Sequence, residues 1–515
     1  MENTVKSVTT TAKIIFSNGV EYVIPFVNVN SQTTDLENFG TKCTLKQRLY
    51  KGSNTNVIGN ICCSTLSIEG RSIDKLLISS NENSPYYNYM NNTAKIQISC
   101  TGDDDVTTNM GTFYVDTWEC GTSSSEYDTF YISCVDLLSK IKNISLHKVR
   151  IKQQLKFSEY LKTIIDKLNT SLPSDMQINY DISTLQALDN LYSSDWQMYY
   201  NNVNRDNIET IFNTLAQNTL SYIWIDRNNY LQVDSLLDDD IIEEVCDLSG
   251  MENLFSYDVQ QGDIGNYSGI SVKYIESISL RTEQLVSLQD YQLYGGDTEI
   301  SVQSNTDKTY RITLVDCSNN DIAFCRNFFT YKNEIDMTMH CIVNNVQNIT
   351  VYGEVIDETY NTLTKYSDDN DKNNVLEIEN YLLRKEDIQT YVDNFLRLIT
   401  MKNSSLSCEG WLNPQLKLSD MVGVTGSRLA IDGYYKVVEL EYQLGYNYRC
   451  KAKLMKTIEG EVSIVSLLER DNEEVMFING GTIATDYVFY SPTSDQEEDI
   501  DAYIGPVLDE LGAFI

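Results

Sequence analysis

Phe130, Ile132 and Cys134 point one way along the chain and Tyr131 and Ser133 the other, the two-residue period of a half-buried strand. Short apolar runs of the same kind, Ala12–Phe16, Tyr22–Val27, Thr93–Cys100 and Thr112–Trp118, fill residues 1–145. Turn formers separate them: Ser17-Asn18-Gly19, Lys51-Gly52-Ser53-Asn54, and Gly121 to Ser125. This stretch predicts a first β domain, with Asp136–Ile141 opening a short helix at its exit.

The period changes over residues 146–245. Leu161, Ile164, Ile165 and Leu168 recur at helical spacing, with Ser158 as the expected N-cap. A second helix is expected to open at Asp206, with Glu209 three residues on completing a capping box and Ile208, Ile211, Phe212 and Leu215 forming one apolar face. Tyr222-Ile223-Trp224-Ile225 and Tyr230-Leu231-Gln232-Val233 then flank the polar turn Asp226-Arg227-Asn228-Asn229, a hairpin. Together these make a small α+β module.

Strands return over 246–300, notably Gly269–Tyr274. Residues 301–375 read as an inserted β domain with Tyr310–Val315, Met337–Val343 and Ile349–Val355. After the acidic loop Asp368–Asn374, Leu382, Ile388, Tyr391, Val392, Phe395, Leu398 and Ile399 stripe one long helix, a core-facing stripe rather than a cofactor box. The last hairpin is the clearest. Val438, Leu440, Tyr442 and Leu444 alternate with Glu439, Glu441 and Gln443; past Gly445, Tyr448, Cys450, Ala452 and Leu454 alternate with Arg449, Lys451 and Lys453. Acids on one strand face bases on the next, worth about 0.2–1 kcal/mol per opposed pair.

An internal echo stands out. Gly111-Thr-Phe-Tyr-Val-Asp-Thr-Trp-Glu119 and Gly433-Tyr-Tyr-Lys-Val-Val-Glu-Leu-Glu441 share Gly, an aromatic, Val and Glu at matching positions. Coincidence between two hairpins and a duplicated barrel both fit that much similarity.

Composition removes whole classes of function. With 515 residues, the chain has room for three or four domains at roughly 100–200 residues each. It carries 74 acidic against 39 basic side chains, a net charge of −35. That balance argues against a surface that grips nucleic acid or a basic membrane-surface protein. No apolar run is long enough to span a membrane, and the polar Met1–Thr11 segment leads us to expect no secretory signal. Twelve cysteines, none in a Cys-x-x-Cys pair, are expected to be reduced, buried thiols.

The two histidines, His147 and His340, stand alone, and no Gly-x-Ser-x-Gly elbow, P-loop or zinc spacing occurs. The acidic runs Asp103–Asp105 and Asp368–Asp371 suggest calcium, but counting from Asp369 puts Asn374 where an EF-hand needs Gly and Asn380 where it needs Glu. We therefore nominate no catalytic, cofactor-binding or metal-ligating residue, and expect no enzyme and no cofactor. Residues 457–515 hold 14 acids and one base, Arg470, interspersed with apolar residues. This acidic arm is either a docking segment or a partly disordered end. It and the loop Asp368–Asn374 are the candidate interface segments. A chain lacking 459–515 is expected to keep its barrels folded, by circular dichroism, while binding a neighbour less well; unfolding would place the arm in a core.

The order of these parts resembles the phage tail (baseplate) hub proteins. The resemblance rests on Gly111–Ile141, with its Gly-x-Phe-Tyr-Val-x-x-Trp strand leading to Cys-Val-Asp-Leu-Leu. It continues in the helix Asn207–Gln217 with the hairpin Tyr222–Val233, and in the helix Glu379–Thr400. The last part is Trp411-Leu-Asn-Pro-Gln-Leu-Lys-Leu-Ser-Asp-Met-Val followed by Ile431-Asp-Gly-Tyr-Tyr-Lys-Val and the terminal hairpin. It covers residues 90–458; the insertion and the acidic arm depart from the pattern.

The resemblance implies a β-dominated α+β chain of two related tube-type barrels, 1–145 and 246–300 with 376–458, joined by the module 146–245. The β insertion 301–375 and the arm 459–515 complete it. It also implies a homotrimeric ring between a sixfold tail tube and a threefold tip or spike, with the tape-measure protein as a further partner. Such a chain would be assembled in the host bacterial cytoplasm and carried in the virion. DNA would pass through without specific binding. With a charge of −35, a ring of such chains is expected to have a negative channel wall that repels phosphate, the alternative being that the acidity serves solubility alone; a wall lined mainly by Lys and Arg would contradict the first. A tail adaptor or fibre-attachment protein is the alternative, and a tail-associated cell-wall hydrolase a more distant one.

Overall fold

A computed structural model describes residues 8–458 apart from 27–36, 50–58, 103–104, 123–127, 148–155, 187–188, 190–191, 193–204, 236–243, 248–253, 261–266, 368–373, 402–404, 413, 426–432 and 446–447. The strands of the first part are β1 (Val8–Ile15), β2 (Glu21–Pro25), β3 (Asn38–Arg48), β4 (Asn60–Cys62), β5 (Thr65–Ser72), β6 (Lys95–Gly102), β7 (Thr107–Thr122) and β8 (Asp128–Val135). Next come α1 (Leu137–Ile141), α2 (Phe157–Asn169), β9 (Asn179–Tyr180), α3 (Ile182–Gln186), α4 (Ile208–Thr219), β10 (Ser221–Ile225) and β11 (Tyr230–Ser235). The second part holds β12 (Glu244–Asp247), β13 (Leu254–Gln260), β14 (Gly269–Leu293), β15 (Gly296–Gln303), β16 (Tyr310–Cys317), β17 (Ala323–Tyr331), β18 (Glu334–Cys341), β19 (Asn345–Tyr366) and β20 (Val375–Asn380). It ends with α5 (Lys385–Met401), β21 (Ser405–Gly410), β22 (Met421–Thr425), β23 (Gly433–Leu444) and β24 (Arg449–Ile458).

Two separate closed barrels are not what the strand pairing gives among the described residues. One 13-stranded sheet runs β13-β21-β24-β23-β3-β5-β8-β7-β6-β1-β2, with β22 and β12 branching from β23. It crosses from the second half of the chain to the first where β23 meets β3. At the first half's far end a single bridge, Phe26 to Gly40, brings the chain after β2 back to β3. A Cβ on Gly40 would overlap the Phe26 ring, so glycine is what lets that ring lie on the strand.

Strand alternation sends Ile14, Leu45, Ile68, Ile96, Val115 and Ile132 into one large core, shared with α2, α4 and α5. Gly70 sits in this sheet where a Cβ would lie 2.2 Å from the Phe130 ring and 2.5 Å from the Phe39 carbonyl. Gly70→Ala is expected to cost about 2–3 kcal/mol, since neither a buried ring nor a ladder carbonyl can yield freely. Gly121→Ala, whose Cβ would meet only Thr129 Oγ1 at 3.4 Å, serves as control. Urea midpoints of the two variants check this, and equal midpoints would contradict it.

Helix starts differ from expectation in three places, one of them α5, which begins at Lys385 rather than Glu379 because Glu379 and Asn380 close the strand β20. α4 is capped by Asn207, whose side chain accepts from Thr210 N, so Asp206 is one residue too early. α2 begins at Phe157 after Lys156 without a side-chain cap; Ser158 lies inside its first turn, where its amide and hydroxyl donate to Asp189. Between β10 and β11 the expected turn forms, with Asp226 accepting from the amides of Asn228 and Tyr230. The helical stripe folds as α5, with Ile388, Tyr391, Val392 and Phe395 buried; Leu382 is buried ahead of it.

A second core lies in β14–β19, where Leu285, Ile300, Met337, Met339 and Val351 are buried. β14 and β19 form a long antiparallel ladder from Gly269 opposite Tyr366 to Leu293 opposite Asn345. Gly269–Tyr274 is thus the foot of this ladder, where β20 joins it in parallel. β15, β18 and β17 form a three-stranded sheet beside it.

Candidate assembly surface

Within the large sheet, two four-stranded units repeat each other residue by residue. In the first, Val115 of β7 lies opposite Cys134 of β8, Asp116 bulges, and Thr117 lies opposite Ser133. In the second, Val437 of β23 lies opposite Leu454 of β24, Val438 bulges, and Glu439 lies opposite Lys453. The next strand outward repeats too: Leu66 of β5 faces Cys134, and Leu406 of β21 faces Leu454. Outside these, Leu45 of β3 faces Leu66 with Thr41 bulged, and Val259 of β13 faces Leu406 with Phe255 bulged. Bulges are designed features of a sheet, and two bulges at matching places, with matching register on the strands between them, mark the units as a repeat.

The sequences of β5 and β21 carry the same signal. Thr65-Leu66-Ser67-Ile68-Glu69-Gly70 matches Ser405-Leu406-Ser407-Cys408-Glu409-Gly410 at Leu, Ser, Glu and Gly. Sequence reading caught the echo in β7 and β23 but missed this one, because a single six-residue strand gives no period to notice. The duplication in the echo is therefore structural rather than coincidental.

The two units join edge to edge. Glu439, Leu440, Glu441, Tyr442, Gln443 and Leu444 of β23 pair with Arg48 through Cys43 of β3. Glu441 meets Lys46 at 3.0 Å and Glu439 meets Arg48 at 2.8 Å. The acids read from the sequence as partners of Lys451 and Lys453 do lie opposite them, but their charges also stitch β23 to β3. These ion pairs are partly exposed and contribute about 0–1 kcal/mol each, so they set register more than stability.

Arg227 fastens the junction from the side. It belongs to the hairpin turn of the α+β module, yet its side chain is buried. Its guanidinium donates to Pro414 O, to Leu416 O at 2.7 Å and to the Tyr442 hydroxyl at 3.0 Å, and reaches Gln47 Oε1. Tyr442 in turn donates to Leu416 O, and its ring lies under the guanidinium. Asn109 of β7 holds the backbone of the same turn through Arg227 O. Lys436, also buried, donates to Asp234 Oδ2 at 2.8 Å and Ser235 O at 2.7 Å, tying β11 to β23. One module thus clamps both units of the sheet.

The other singled-out residues gather nowhere. His147 is exposed, and His340 Nδ1 lies 2.6 Å from Asp297 Oδ1 across β15 and β18. Asp103 and Asp104, loop residues 368–373 and the arm 459–515 lie outside the described residues; Asn374 pairs with Ser268. Among the described residues no cluster of His, Cys, Asp and Glu could hold a metal ion, and no helix is long and apolar enough to cross a membrane. Cys43, Cys100, Cys134, Cys408 and Cys450 are buried as expected, but Cys120 is exposed. Hydrogen bonds from Ser80 hold the Cys120 thiol below its ordinary pKa.

The chain is similar in structure to phage tail proteins. The 43 kDa tail protein of a prophage in Shewanella oneidensis aligns with a TM-score of 0.47 at 10% identity, covering 88% of this chain and 99% of that one. A tail protein from Neisseria meningitidis aligns at 0.44 and 8% identity, covering 87% and 97%. A prophage tail protein from Listeria monocytogenes aligns at 0.40 and 11% identity, covering 90% and 98%. No family model and no curated protein matches the chain.

Proposed function

We propose that this chain is a structural tail hub of a bacteriophage or related injection machine. In this reading three copies close a ring of six related sheet units, which joins a sixfold tail tube to a threefold tip or spike. The observation that carries it is the internal repeat: two units with the same strand order, register and bulges, joined by backbone pairing within one chain. A component at a sixfold-to-threefold junction needs two near-equivalent faces per chain, and duplication supplies them. The order of sequence motifs supports the same reading.

The role is mechanical: ring closure, tube docking and tip docking, with no catalytic step. Two domains, 1–145 and 246–300 with 376–458, would form the ring, the module 146–245 would brace them, and the insertion 301–375, whose core also takes in Leu285 to Ile300, would project from it. Tube, tip and tape-measure proteins would be the neighbours, in a virion assembled in the host cytoplasm. The net charge of −35 would give the channel a wall that DNA slides past.

Quantitative mass spectrometry of purified virions tests this reading. Three copies for every six-subunit ring of tube protein are expected at the distal end of the tail. Absence from the virion, or clearing of purified cell wall by the isolated chain, would overturn it in favour of a non-structural or hydrolytic role.

A further inference from the structure

The internal repeat leaves one edge unmatched on each unit, and the two edges fit each other. In the second unit, β22 covers the edge of β23 as far as Lys436, and β3 takes over from Glu439 onward. In the first unit, β6 covers the same edge of β7 as far as Tyr114, its equivalent. From Thr117 to Gly121, however, no strand takes over among the described residues. There the residues become exposed on both faces, apart from the half-buried Trp118, whereas their counterparts Leu440 and Tyr442 are buried. At the sheet's opposite end, β13 is the equivalent of β3. It pairs with β21 on one side and, among the described residues, with no strand on the other. Ser256 and Asp258 on it are exposed.

We propose that β13 of one copy pairs antiparallel with the Thr117–Gly121 edge of β7 in the next copy. This repeats between chains the β23–β3 joint seen within one. The proposal rests on the ring reading above and names the surfaces that close it. The register follows from the equivalences already given. Glu441 opposite Lys46, Tyr442 opposite Leu45 and Gln443 opposite Thr44 translate into Glu119 opposite Gln260, Cys120 opposite Val259, and Gly121 opposite Asp258. No like charges stand directly opposite in this register.

The occupant is a second copy because the joint is heterologous. One edge belongs to each end of the sheet, so a chain cannot satisfy both by itself but a closed ring of chains satisfies all of them. Long uncovered strand edges otherwise invite disordered association. The new joint lacks the Lys46–Glu441 and Arg48–Glu439 pairs of the internal one, so it depends on backbone hydrogen bonds. Assembly is then weaker between chains than within one, as suits subunits that fold first and close afterwards.

Cys120 gives the test directly, being exposed on this edge. The full-length chain with Val259→Cys, oxidised with copper phenanthroline, is expected to form a disulfide from Cys120 to the introduced thiol of the next copy. Directly opposed residues on paired strands have the Cβ separation a disulfide needs. A non-reducing gel would show covalent dimers and trimers, lost when Cys120→Ser is added. Asp258→Cys and Gln260→Cys, each one residue off in the register, should give none. Efficient crosslinking by those two variants instead would overturn the register. No crosslink in a preparation whose solution mass is trimeric would overturn the joint and leave the hub reading standing. A chain that stays at 58.8 kDa at every concentration would remove both.

Discussion

Arg227→Ala lowers the stability of the junction by about 3–5 kcal/mol, an expected result that follows from what the guanidinium satisfies. Pro414 O, Leu416 O and the Tyr442 hydroxyl all accept from it in a site closed to water. Truncation takes the guanidinium away from Pro414 O, at about 1–3 kcal/mol, leaves Leu416 O with the Tyr442 hydroxyl as its donor, and opens a cavity beside Tyr442. Arg227→Lys should recover less than half of the loss, because one ammonium cannot span a fork that bonds separate carbonyls. Urea unfolding followed by tryptophan fluorescence measures it, Trp224 being buried on the adjoining strand. A midpoint within experimental scatter of the parent would show that the module is not what clamps β3 to β23. Lysine performing as well as arginine would show that only the charge matters.

The second large effect is a pH dependence centred on Asp136. Its carboxyl caps α1 by accepting from Ser139 N at 2.8 Å and also accepts from Ser64 N, joining the helix to the start of β5. Burial raises its pKa from the ordinary 3.8 to about 7, and the two amide donors only partly pull it back. A carboxyl with a raised folded-state pKa holds its proton more tightly when folded than when unfolded. Its stabilising contribution is therefore complete below pH 4 and is lost as pH rises toward 7. Three pH units correspond to about 4 kcal/mol. Asp136→Asn cannot titrate, so the stability difference between Asn and Asp should move in favour of Asn by about 3 kcal/mol between pH 4.5 and 8. A difference that is flat, or that moves the other way, would mean the amide donors outweigh burial and the group stays ionised.

Much of the architecture could be read from side-chain order. The alternation in Phe130–Cys134 and Val438–Leu454 marks strands that fold where expected, because a two-sided strand must sort its residues by face. The stripe of α5 and the polar turn between β10 and β11 were legible for similar reasons. What could not be read is which strand meets which. β23 pairs with β3 across nearly the whole chain, and no local period encodes a contact of that separation. That pairing merges two expected barrels into one continuous sheet.

Arg227 shows the limit most clearly. In sequence it belongs to a polar turn, where solvent is the ordinary environment; only the arrival of Pro414, Leu416 and Tyr442 from distant segments makes it a buried clamp. Helix caps missed by one residue, as at Asn207, reflect competition between adjacent polar side chains that geometry alone decides. The interface candidates drawn from charge, the acidic arm and the Asp368–Asn374 loop, were conspicuous by composition. The edges of β7 and β13 were not, since an uncovered edge is defined by backbone groups rather than by residue type.

In the proposed hub, two matched units per chain would close into a ring of three chains. Light-scattering mass combined with single-particle imaging of the concentrated full-length protein tests it most directly. The expected particle has three times the 58.8 kDa chain mass and is threefold in projection, with six similar lobes around an open centre. A single compact 58.8 kDa particle, or a twofold dimer built on one shared patch, would contradict it.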